Sequence, residues 1–63
     1  MIDRTARAAI AKYGRDVCLE AFALSERGWG ANSISYEIAG LRSGCTNQAD
    51  AAINAGRKLS QGE

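Results

Sequence analysis

From Thr46 to Gln61 the chain reads TNQADAAINAGRKLSQ, and a helical repeat puts Asn47, Asp50, Asn54, Arg57, Lys58 and Gln61 on one side of it. Side-chain amides, a guanidinium and an ammonium are the groups that hydrogen-bond to base edges and to phosphate oxygens. The opposite side is apolar: Ala49, Ala52, Ile53, Gly56 and Leu59 recur at offsets 0, 3, 4, 7 and 10 and form one narrow stripe. Thr46 is placed to cap this helix through its hydroxyl, which leaves Asn47 and Gln48 at the exposed N-terminal end. Asp50 is the awkward member. Its carboxylate repels phosphate, yet it can accept from a cytosine amino group, or simply favour the positive end of the helix dipole.

A polar helix face needs a second helix to hold it. The preceding segment predicts one, with Asn32 or Ser33 as N-cap and Ile34, Ile38 and Leu41 as its buried row at offsets 0, 4 and 7. Ala39 falls where two helices would cross closely. Gly40 and Gly44 lie between the helices and permit the positive φ angles that end one helix and redirect the chain in a short turn. Two amphipathic helices joined by a tight Gly-bearing turn have the outline of a helix-turn-helix over residues 33–59.

Ile38-Ala39, the Gly-bearing turn and the run Ala52-Ile53-Asn54-Ala55-Gly56-Arg57-Lys58-Leu59 resemble the small helix-turn-helix regulators of phages and plasmids, Cro-type repressors among them. The resemblance implies that Thr46, Asn47, Gln48, Asp50 and Ala51 face bases, and that Arg42, Ser43, Asn54, Arg57 and Lys58 meet the DNA backbone or flanking groups. It also implies a homodimer on double-stranded DNA. In an ungapped register back from Ile53, Arg42 and Gly44 fall where the family prefers apolar residues, so the turn is expected to be about a residue longer than usual.

The remaining composition narrows the chemistry. There is no histidine, and the two cysteines, Cys18 and Cys45, are far apart in sequence, so neither a zinc site nor a Cys/His nucleophile can be assembled. We therefore expect no enzyme, no metal, no cofactor and no small-molecule substrate. Each cysteine is expected to be a small buried thiol, with a disulfide left open. With no secretory signal, no long apolar segment and no cysteine framework, a reducing cytoplasm and no membrane association are expected.

The formal charge is only +1, low for a nucleic-acid binder, but it is unevenly distributed. Residues 1–15 carry Arg4, Arg7, Lys12 and Arg15 against Asp3, an excess of three positive charges; residues 16–41 carry Arg27 against Asp16, Glu20, Glu26 and Glu37, an excess of three negative ones. A polarised domain can present one basic face at low net charge; an evenly solvated surface is the alternative.

The whole chain, 63 residues without a proline, reads as a single all-α domain, a compact bundle of about four short helices. Asp3 can cap a first helix over Ala6, Ala9, Ile10 and Tyr13, closed by Gly14. Asp16 can cap a second that reaches about Arg27 and is ended by Gly28. In that second helix Cys18, Ala21, Phe22 and Ser25 share a face, and Val17, Leu19, Ala23 and Leu24 widen the apolar arc, which fits either the centre of the bundle, with Phe22 and Leu24 as anchors, or a dimer seam. Trp29, between Gly28 and Gly30, is expected to fold over the core as a lid, with a protein contact and, after it, stacking against a nucleotide as the alternatives. Tyr13 and Tyr36 are expected to pack on helices. Arg4, Arg7 and Arg15 are either duplex-backbone contacts or solvated surface charges. A domain this small gains from dimerisation, which adds buried area and supplies two-fold symmetry. Two functions remain: a sequence-specific DNA-binding regulator that represses by occupying its operator, or a small phage or plasmid accessory module that binds a host protein through Trp29 and the acidic second helix.

Overall fold

The computed structural model describes residues 2–62 and contains four helices, with no strand among those residues. The first, α1, spans Arg4–Tyr13. The Asp3 carboxylate caps it by accepting the Ala6 N–H at 2.8 Å, as expected. Gly14 closes it at a φ of 97°, in the region that only glycine visits without strain. The same glycine starts α2 (Arg15–Glu26), its carbonyl accepting the Cys18 N–H at 3.1 Å, so a single residue turns the chain from one helix into the next. Asp16 is therefore not the cap of α2: the corner at Gly14 starts the helix earlier and leaves Asp16 inside the first turn, where its charge suits the dipole.

At the other end of α2 the Gly28 N–H bonds to the Ser25 carbonyl and the Trp29 N–H to the Leu24 carbonyl, both at 3.1 Å, a Schellman closure. The chain re-enters a helix at once: α3 covers Ala31–Glu37 from an N-cap at Gly30, so Asn32 and Ser33 sit within its first turn rather than capping it. Trp29 belongs to this closure through its N–H, and the residue is 39% exposed instead of forming a lid over the core.

In place of the expected tight turn, α3 leads into a longer connection. The helix stops at Glu37, and an eight-residue link, 38–45, reaches α4 (Thr46–Ser60). Ile38 adopts an extended conformation, and two turns, closed by Leu41 N–H to Ile38 carbonyl and by Cys45 N–H to Arg42 carbonyl, bring the chain round. The physical reason is burial: Ile38 and Leu41 reach the core from this link, 4% and 5% exposed, rather than from the helix. Ala39, expected at a helix crossing, lies exposed in the first of these turns. Thr46 is the first residue of α4 and not its cap. Cys45 arrives extended, its carbonyl takes the Ala49 N–H at 3.2 Å, and no side chain caps the helix.

The core is built on α2 and α4, each of which packs against all the other helices, so α2 is central but shares that place with α4. Cys18, Ala21 and Leu24 of α2 meet Ala49, Ala52, Ala55 and Leu59 of α4, with Ala6 and Ala9 of α1 and Ile34 of α3 completing the cluster. Alanines dominate because the helices approach closely. The closest point is Gly56, where an added Cβ would stand 1.9 Å from the Cys18 carbonyl oxygen and 2.8 Å from the Phe22 Cβ. Phe22 is only half-buried, so it is not a central anchor; the fully enclosed aliphatic side chain is Ile34. Tyr13 is half-buried with the Lys12 ammonium 5.3 Å from its ring centre. Tyr36 is 65% exposed: Ile34, Ser35 and Ile38 take the inner side of this segment and leave the phenol outside, beside Gly44.

Candidate functional site

Along α4, every third or fourth residue stands clear of the rest of the molecule. Asn47, Asp50, Asn54, Arg57 and Gln61 are all exposed, and their spacing sets them in one line up the helix. Thr46 is exposed at its lower end. A helix of 15 residues is about 22 Å long, so the line runs the length of a structural rod and not of a mobile loop. Its first turn holds neither a side-chain cap nor an acidic residue, which leaves the positive end of the dipole uncompensated there.

The other expected site residues fall to either side. Gln48 is half-buried, and its Oε1 accepts the Arg42 N–H at 2.9 Å, tying the link to the first turn of α4. Arg42 and Ser43 themselves are exposed just before that turn. Ala51 is half-buried and packs on the core. Lys58 turns away from the line towards α1, where its ammonium pairs with the Asp3 carboxylate, and Arg57 donates to the Asn54 side-chain oxygen. Asn54, Arg57 and Lys58 form one wall of an open groove of about 330 Å³ whose other wall is Asp3 and Thr5 at the start of α1.

The electrostatics are set by these contacts. The hydrogen bond from Lys58, aided by the Ala6 N–H, holds the Asp3 carboxyl below the usual carboxylate range. Burial pushes the Cys18 thiol up, since an apolar enclosure penalises the thiolate. Both cysteines are free: Cys18 is fully enclosed, whereas Cys45 is half-buried and not the buried thiol expected of it.

Sequence reasoning missed Ser35. It is the buried polar side chain of α3, its hydroxyl donating to the Asn32 carbonyl at 2.6 Å and accepting the Gly44 N–H at 2.9 Å. It thereby ties α3 to the last turn before α4. Nothing in the pattern separates Ser35 from Ser33; only the return of the link over α3 does.

The chain matches no family model, no curated protein and no solved structure. Among the described residues no helix is long and apolar enough to cross a membrane. What the site offers chemically is a rigid row of amide and guanidinium groups, one carboxylate within it, and beside its C-terminal half a groove lined by Arg57 and by the Lys58–Asp3 pair.

Proposed function

We propose that the protein is a cytoplasmic, sequence-specific double-stranded-DNA-binding regulator that lays α4 in the major groove and acts, as a homodimer, by occupying its operator. The observation that carries this is the unobstructed line Asn47, Asp50, Asn54, Arg57 and Gln61 on one rigid helix. The major groove, about 12 Å wide, admits an α-helix, and amide and guanidinium groups match the donor and acceptor pattern of base edges there. The uncompensated dipole at the start of α4 and the nearby Arg42 and Ser43 suit phosphate on one side; Arg57 and Lys58 suit it on the other. Asp3 and Asn54, which hold those two cations in the free protein, are exposed and replaceable by phosphate oxygens. In this role the chain resembles the phage and plasmid helix-turn-helix regulators, with a longer link between the two helices.

A second reading has its own observation. Among the described residues Trp29 and Tyr36 are the exposed large apolar side chains, and exposed aromatics are frequent anchors of protein interfaces, which suits an accessory module that binds a host protein. Titrating the isotope-labelled protein with duplex DNA and tracking amide shifts separates the two. Shifts concentrated at Thr46, Asn47, Asp50, Asn54 and Arg57 support groove insertion. Absence of shifts there, or shifts confined to Trp29 and Tyr36, would refute it.

A further inference from the structure

The two helices that do not carry the α4 line are oppositely charged on their outer sides. On α1, Arg4, Arg7 and Lys12 are exposed around Ala8 and Ala11; on α2, Asp16, Glu20 and Glu26 are exposed around Ala23, with Arg15 and Arg27 exposed at the two ends of that helix. Both sets point away from the core, because Ala6 and Ala9 of α1, and Cys18, Ala21 and Leu24 of α2, occupy the inner faces. Within the described chain Arg4, Arg7, Asp16, Glu20 and Glu26 form no ion pair, although the opposite charges lie on adjacent helices joined by one residue.

We infer that these two faces are one self-complementary surface: the basic side of α1 in one copy docks on the acidic side of α2 in a second copy, and a two-fold axis repeats the contact. An isologous interface requires one patch to carry both complements, and adjoining helices of opposite sign supply them. The small alanines between the charges let the helix backbones approach, and the charges set register and orientation. A standard interface takes about 800 Å² from each copy, a fifth of the 3943 Å² this chain exposes, which two helix faces of 10 and 12 residues can furnish. The pairing rests on the DNA reading only for its use; its existence is measured without DNA, so failure of one does not count as failure of the other.

The test is sedimentation equilibrium on the wild type and on two charge-reversed variants, Arg4→Glu/Arg7→Glu and Glu20→Arg/Glu26→Arg, with helicity monitored by circular dichroism. The wild type is expected to be dimeric at low salt and to dissociate as salt rises to about 1 M, where the Debye length is about 3 Å. Each variant alone is expected to lose the dimer, because its two faces then carry the same sign. An equimolar mixture is expected to recover it, since both contacts of the mixed pair are again opposite in sign. A monomeric wild type, a dimer indifferent to salt, a variant that stays dimeric, or two folded variants that do not pair would each overturn the inference. If a variant loses its helicity, the salt dependence of the wild type decides.

Discussion

Gly56 is the residue on which the fold is most exposed to change. In the sequence it is one member of an apolar stripe; in the molecule it is where α4 crosses α2, with the Cys18 carbonyl so near that a methyl group would overlap it at 1.9 Å. Backbone cannot yield as a side-chain tip can, so Gly56→Ala is expected to destabilise the protein by about 3 kcal/mol, near the top of the overpacking range, measured by urea denaturation. A loss under about 0.5 kcal/mol, the size of an ordinary surface change, would contradict the crossing. Asp3 gives a second expectation at this scale. It both caps α1 and pairs with Lys58, and its carboxyl titrates below its ordinary value. A depressed folded pKa contributes stability above the unfolded pKa, and that contribution is lost as pH falls through the folded one. Lys58→Ala and Asp3→Ala are therefore expected to melt lower than the wild type at neutral pH, with the gap closing in strong acid. A gap that is unchanged across that range in thermal scans would count against the pair.

At the scale of elements, the helices written most plainly in the sequence are those with terminal glycines and a capping carboxylate. Asp3, Gly14 and Gly28 mark α1 and the end of α2, and the spacing of Ala49, Ala52, Gly56 and Leu59 marks α4. The α3 segment is less legible because its apolar row runs on at helical spacing through Leu41, while the chain leaves the helix after Glu37 and buries Ile38 and Leu41 from a folded link. Periodicity records which residues are buried, not the backbone conformation that buries them. The caps of α2, α3 and α4 are hidden for a related reason: Gly14, Gly30 and Cys45 start these helices through main-chain geometry, without the side-chain oxygen that a sequence pattern can flag. The tie between α3 and the link rests on Ser35, whose buried hydroxyl joins Asn32 to Gly44. Ser35→Ala removes this tie and is expected to cost about 0.5–1.5 kcal/mol in chemical denaturation. If the stability were unchanged, the hydroxyl would not be what joins the link to α3.

For the whole molecule the longest dimension is 27 Å, shorter than the roughly 34 Å that separates successive half-sites on one side of a duplex. Under the proposed DNA reading, one copy would cover a single half-site and a pair would read a palindrome. The candidate site is legible in part. Its polar line along α4 comes directly from helical spacing, whereas the attachment of Gln48 to the link and the turning of Lys58 to Asp3 depend on tertiary contacts that no local pattern contains. Asn47→Ala is accordingly expected to relax base preference at a cost of about 1–3 kcal/mol, and Arg57→Ala to weaken binding to all sequences alike and reduce the salt slope by about 1. Equal effects of the two variants on every sequence would remove the distinction between base and backbone contacts. The central claim, that α4 reads DNA, is tested most directly by selection from a randomised duplex pool at two salt concentrations. Enrichment of a two-fold-symmetric motif with half-sites about one helical turn apart is the expected result; weak binding that salt abolishes and that enriches no sequence would contradict it.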